Sequence, residues 1–232
     1  MRKEKCEMKA APIRDIRIYR SQIENVSGNP LPNGFVNMTL AAAARRITMK
    51  LQEHQFTMSG FHHLYLNLTT CAVEDQIAPA KREPDRYYPW YRYYDVQISS
   101  ALYDALESPD STQPVIGLLE TVFQKFFSTA QFPAEMIHGC ISEAVTQGEQ
   151  MLVKFKEKTT AKNHAVICLR YSDNGKYIPL LRVFDTENHL LLEKDLPETD
   201  TLEAYGEIRL SAKKVIIQPR KNRNLEPMTF ML

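Results

Sequence analysis

The stretch His164-Ala165-Val166-Ile167-Cys168-Leu169-Arg170-Tyr171-Ser172-Asp173-Asn174-Gly175-Lys176-Tyr177-Ile178-Pro179-Leu180-Leu181-Arg182-Val183-Phe184 decides the fold of the second half of this chain. Two apolar runs flank a polar turn, and Asn-Gly fits the two positive-φ positions of a type I′ turn. The pattern predicts an antiparallel hairpin. On its N-terminal side, Met151, Val153 and Phe155 alternate with Leu152, Lys154 and Lys156, the period of a strand. On its C-terminal side, Asp185-Thr186-Glu187-Asn188 turns the chain into 189–193, and 206–210 and 215–218 continue the alternation. Six short strands with short polar turns spell an antiparallel meander over 149–220, and 221–232 reads as a tail.

The first half mixes helices and strands. Ile13, Ile16 and Ile18 alternate with charges, as an edge strand does, and Ser27-Gly28-Asn29-Pro30-Leu31-Pro32-Asn33-Gly34 forms a turn-rich connection. Over 38–54, Leu40, Ala44, Ile47 and Leu51 recur at helical spacing, while Arg45, Arg46, Lys50 and Glu53 are expected to face away. Residues 62–70 predict a strand with Leu64, Leu66 and Leu68 on one face and His63, Tyr65, Asn67 and Thr69 on the other. A loop over 72–89 leads to a strand over 90–98, with Tyr91, Tyr93, Asp95 and Gln97 on one side. Ser99 or Ser100 caps a short helix, Ser111 or Thr112 opens a longer one, and a third starts near Pro133 and ends before Gly148. The expected class is α+β: a single domain, 1–232, with a mixed part over 1–148. Its sheet is largely antiparallel, and the C-terminal meander packs against about three to four helices.

Composition narrows the chemistry. In 232 residues, 29 Lys+Arg balance 28 Asp+Glu for a net charge of +1, which disfavours a surface devoted to nucleic acid. Eight glycines stand where average usage of about 7% gives roughly 16. Their spacing rules out G-x-G-x-x-G, the P-loop and G-x-S-x-G, and H-E-x-x-H is absent as well. No signal-like apolar run follows the charged start and no apolar stretch reaches the length of a membrane span, so a cytoplasmic protein without membrane contact is expected. Cys6, Cys71, Cys140 and Cys168 form no C-x-x-C pair; the last three are expected to be buried. His62 and His63, adjacent on the expected strand, point to opposite faces and cannot chelate one ion together without help from elsewhere. His138/Cys140 and His164/Cys168 make no local dyad. The reading therefore assigns no catalytic residue, no metal and no cofactor.

One segment stands out: Arg86-Tyr87-Tyr88-Pro89-Trp90-Tyr91-Arg92-Tyr93-Tyr94-Asp95, with five of eleven tyrosines and the only tryptophan. Tyr, Trp and Arg dominate protein-interface hot spots because they bury large area and keep a polar tip. Arg86, Tyr87, Tyr88, Tyr91, Arg92 and Tyr93 are the candidate protein-binding residues, although rings of this kind also pack along sheet edges. A second candidate is the acidic run 185–203, seven acids against Lys194, from which Asp195, Glu198 and Asp200 are chosen for a basic partner. Two alternatives stay open. One is an enzyme or small-ligand carrier with a pocket between sheet and helices, using His62 or His63, Tyr65 and Asp95. The other is nucleic-acid binding, with bases on the rings and Lys81, Arg82, Arg86 and Arg92 on phosphates, weakened by Asp85 and Asp95.

Gly60-Phe61-His62-His63-Leu64-Tyr65, Tyr91-Arg92-Tyr93-Tyr94-Asp95 and Val215-Ile216-Ile217-Gln218-Pro219-Arg220-Lys221 resemble segments of one of the predicted immunity-protein families of bacterial polymorphic-toxin systems, over about a third of the chain. The resemblance implies a cytoplasmic, non-enzymatic protein that binds a cognate toxin and blocks it; no functional residue is carried over from it.

Overall fold

A computed structural model describes residues 11–21, 37–81, 86–221 and 223–232. The Ser27–Gly34 connection, Cys6, Arg82 and Asp85 lie outside the described residues. The chain divides into two compact units, Met1–Thr146 and Gln147–Leu232. Its class is α+β.

In the first unit, strand β1 (Asp15–Arg20), helix α1 (Met38–Glu53) and strand β2 (His63–Thr69) follow in order, then the short β3 (Ile77–Pro79) and β4 (Tyr91–Gln97). The strands lie in the order β1-β2-β4-β3. β1 pairs with β2 and β2 with β4 in parallel, whereas β3 runs antiparallel to β4. This core departs locally from the antiparallel expectation: parallel neighbours need a long crossover, and α1 supplies one between β1 and β2. β2 is an inner strand, and its residues from Leu64 to Thr69 are all buried. β3 falls inside the expected loop; three residues ending on Pro79 leave too short a period to read.

Helices α2 (Ser100–Asp104), α3 (Thr112–Phe127) and α4 (Ala134–Gln147) follow. Ser99 caps α2 by accepting from Leu102 N–H at 3.2 Å. Leu64, Leu66, Leu68 and Val96 are fully buried, as are Ile47 and Leu51 of α1 and Leu119 and Phe123 of α3. The Tyr94 ring lies 4.7 Å from Phe126 and Phe56 lies 5.5 Å from Phe123, which fixes the helices on this face. α1 is buried more widely than its apolar stripe predicts. Arg46 and Lys50 are 5% and 9% exposed, and Lys50 Nζ sits between Glu53 (2.9 Å) and Glu143 of α4 (2.8 Å). Burial opposes the Lys50 charge, yet the two carboxylates outweigh it and raise its pKa.

The second unit contains β5 (Val153–Thr159), β6 (Asn163–Tyr171), β7 (Tyr177–Asp185) and β8 (Leu190–Asp195), an antiparallel meander in that order. β9 (Glu207–Leu210), β10 (Lys214–Gln218) and β11 (Met228–Met231) form a separate three-stranded sheet. The last of these lies in the expected tail. Ala165, Ile167, Leu181 and Val183 pack against Ile208, Val215, Ile217 and Tyr205 in one core between the two sheets. The β6–β7 hairpin forms as expected but its turn differs. Gly175 has φ 85°, while Asn174 does not take positive φ. Ser172 N–H donates to Lys176 O at 2.9 Å and Gly175 N–H to Ser172 O at 3.0 Å, closing a three-residue loop. Ser172 Oγ also accepts from Lys176 N–H at 3.2 Å, so the serine stretches the turn and moves the glycine to the bulge position.

Candidate protein-binding surface

Strand alternation and parallel register build a second face on the first sheet, turned away from the helices. Across β1, β2 and β4 the rows are Asp15–His63–Tyr91, Arg17–Tyr65–Tyr93 and Tyr19–Asn67–Asp95. Tyr65 is the hub: its ring lies 5.7 Å from Tyr19, 4.9 Å from Tyr91 and 5.1 Å from Tyr93. Only 2% of Tyr65 is exposed. Burial pushes its phenol well above the usual range, helped by the hydrogen bond with Tyr91 and by Asp15 and opposed by Arg17, so it stays neutral. Arg17 pairs with Asp15 at 2.7 Å, and its guanidinium lies 5.6 Å from the Tyr65 ring centre.

The rings continue outward. Tyr88 stacks on Tyr91 at 5.0 Å with planes 6° apart, and Trp90 stacks on His62 at 5.5 Å and 22°. Tyr88 is 47% exposed and its neighbour Tyr87 79% exposed. The order runs from a sealed hub, through half-buried Tyr91 and Tyr93, to rings standing in solvent.

Of the residues chosen from the sequence, Tyr88 and Tyr91 are brought into direct contact and Tyr93 stands one row further on the same face. Arg86 and Tyr87 are exposed beside them. Arg92 is separated from this face: it is half-buried on the Tyr94 side of β4, with its guanidinium 5.2 Å from the Phe61 ring. Asp195, Glu198 and Asp200 belong to the second unit and are all exposed; Asp195 pairs with Arg170. His63, Tyr65 and Asp95 occupy one face, but not the one between sheet and helices, where the packing is apolar. The sequence reading missed Asp15 and Tyr19 as members of this face. Their period-2 spacing was visible, but the parallel pairing that sets them beside His63 and Asn67 was not.

The polar clusters elsewhere are local. His138 contacts Glu120 at 2.7 Å, and His164 contacts Glu157 at 3.4 Å. Cys140 is 3% exposed, and burial pushes its thiol up; Cys71 and Cys168 are only half-buried, because Cys71 follows β2 in a bend and Cys168 alternates with buried Ile167 and Leu169 along β6. Among the described residues, no group of three His, Cys, Asp or Glu side chains is placed to hold a metal ion, and no helix is long and apolar enough to cross a membrane. No family model, no curated protein and no solved structure matches the chain.

Proposed function

We propose that this chain is a non-enzymatic protein-binding module, an immunity protein that neutralises a cognate toxin by direct binding in the cytoplasm. Its contact surface centres on Tyr87, Tyr88 and Tyr91. One observation carries the reading: Tyr88, 47% exposed, is stacked in parallel on Tyr91, which rests on the sealed Tyr65. Rings held from beneath lose little freedom on binding, so their apolar area and hydroxyl tips are spent on the partner. The resemblance of the Gly60–Tyr65 and Tyr91–Asp95 segments to immunity proteins supports a toxin as that partner. Exposed Asp195, Glu198 and Asp200 offer a second, acidic contact to a basic protein.

The test is growth rescue. Cells expressing the large reading frame adjacent to this one regain growth when the chain is co-expressed, and Tyr87→Ala/Tyr88→Ala, checked as folded, does not protect. Absent protection by the native chain, or equal protection by the variant, overturns the reading.

A further inference from the structure

Strand β8 ends the meander, and among the described residues no strand pairs with its outer edge. All of its residues except Leu192 are exposed, Leu190 to 51% and Leu191 to 45%. An open edge that begins on three leucines invites pairing with another chain.

Register shows which groups it offers. Just past β8, Leu196 N–H donates to Pro179 O at 2.9 Å. Hydrogen-bonded and non-hydrogen-bonded positions alternate along an antiparallel pair. Lys194 opposite Leu181 and Leu192 opposite Val183 therefore turn their N–H and C=O groups toward β7, and Glu193 and Asp195 turn theirs outward. Leu191 is the extra residue of a bulge, between Leu190 opposite Phe184 and Leu192 opposite Val183, so Glu193–Asp195 is the regular part of the edge. Leu192 packs on the core, which puts the side chains of Glu193 and Asp195 on the outer face. There Glu193 meets Arg182 at 2.7 Å and Asp195 pairs with Arg170, yet the two side chains stay 47% and 66% exposed. The residues that present outward backbone groups are thus the ones that flank the edge with carboxylates.

Charge selects the occupant. The run 185–203 holds seven acids; Lys194 lies within it, and Arg170, Arg182 and Arg223 reach it from outside. Acids remain in excess, and Glu198 and Asp200 continue them, exposed, past the end of the strand. A second copy is a poor fit: two β8 strands paired antiparallel about Lys194 set Glu193 opposite Asp195 twice, and like charges directly opposite destabilise a sheet. A segment with Lys or Arg at every second position sets opposite charges there instead.

Resting on the protein-binding reading above, whose acidic contact it makes specific, we infer that the β8 edge accepts a basic, extended segment of the partner protein as a fifth strand of the meander. The main chain of that segment exchanges hydrogen bonds with Glu193 and Asp195, which gives affinity. Its cationic side chains, two residues apart, meet the two carboxylates, which gives specificity.

The test uses the full chain, labelled for NMR, and the peptide acetyl-Lys-Thr-Lys-Val-Lys-Thr-Lys-amide as probe. Saturable shifts are expected along β8, and hydrogen exchange at the Glu193 and Asp195 amides is expected to slow, because strand addition covers those N–H groups. The same peptide N-methylated at its lysine amides keeps the charge but loses the main-chain donors, and is expected to bind about tenfold more weakly. Replacing its lysines by glutamates is expected to abolish binding. No saturable shift up to about 20 mM, where even millimolar affinities show, overturns the inference. So does equal binding of the N-methylated or the glutamate peptide. Shifts along β8 that grow with the concentration of the chain alone give the edge to a second copy and also overturn it. Failure here with growth rescue still dependent on Tyr87 and Tyr88 refutes the strand addition alone; strand addition with no rescue refutes the immunity reading and leaves the edge.

Discussion

His62 Nδ1 and His63 Nδ1 face each other at 2.6 Å. The rings converge because His62 precedes β2 and escapes strand alternation; both residues' backbone N–H groups turn to Trp90 O, at 3.2 and 3.4 Å. A contact this close needs one N–H and one lone pair, so the pair excludes two imidazolium ions.

That exclusion has a pH signature. Burial, then Arg14, lowers the His62 pKa; burial, then His62, Arg17 and Arg14 against the raising influence of Asp15, brings His63 down to about 4. The unfolded imidazole titrates near 6.5, so between that value and about 4 the unfolded chain binds more protons than the folded one. Stability is therefore expected to be highest above 6.5, to fall through this window on acidification, and to have lost the full contribution below about 4. Urea midpoints across pH 7.5 to 4, a range of about three and a half units spanning both states, measure it. His63→Asn is expected to flatten the slope, and fluorescence of the sole tryptophan, Trp90, stacked on His62, is expected to change over the same window.

Asn37 does two jobs at the start of α1. Its Oδ1 accepts from Leu40 N–H at 3.0 Å, and its Nδ2 donates to Ser108 O at 2.8 Å, Ser111 Oγ at 3.1 Å and Leu106 O at 3.2 Å. Asn37→Ala removes the cap and leaves those buried acceptors short of a donor, for an expected loss of about 1–3 kcal/mol. Asn37→Asp keeps the cap but cannot donate to the acceptors. Thermal unfolding separates the roles: equal melting temperatures of the two variants would show that the cap contributes nothing, and an Asn37→Asp variant melting with the native chain would show that the donations contribute nothing.

What the sequence disclosed is what depends on local period. Helix α1 and the pairs of helices and strands after it follow from apolar spacing, and the split of Tyr65 from Leu64 across β2 follows from alternation. Register is not local. The parallel alignment of β1, β2 and β4 depends on which strand α1 returns to, so the Tyr19–Asn67–Asp95 row was not legible although each residue was. Lys50 misled for a related reason: a lysine on a helical polar stripe reads as solvated until an acid from another helix, Glu143, is set beside it.

Gly206 is constrained by a neighbour rather than by its own torsions. A Cβ there meets Pro219 C and O at 2.5 Å, and the backbone holds the approach through Gly206 N–H to Gln218 O at 2.7 Å. Lys156 Nζ donates to Gly206 O, which ties β5 to the same point. Backbone cannot yield as a flexible side chain does, so Gly206→Ala is expected to destabilise the chain by about 1–3 kcal/mol or more. The same change at Gly139, with nothing within 4 Å of its added Cβ, replaces a helix-interior glycine and is expected to stabilise by about 0.5–1 kcal/mol. Denaturant curves of both test the contrast.

The aromatic face divides into rings that hold the fold and rings that do not. Tyr65 is 2% exposed and in contact with Tyr19, His63, Tyr91 and Tyr93, so Tyr65→Ala is expected to cost about 3–5 kcal/mol, the range for large buried rings. Tyr87 is 79% exposed, and Tyr87→Ala is expected to change stability by no more than about 0.5 kcal/mol. Tyr88, 47% exposed, stacked on Tyr91 and edge-on to Trp90, falls between them, because each ring contact is worth only about 0.5–1.5 kcal/mol. Melting curves of the three variants rank them directly. If Tyr87→Ala destabilises as much as Tyr65→Ala, the outer rings hold up the sheet, and their exposure no longer argues for a partner.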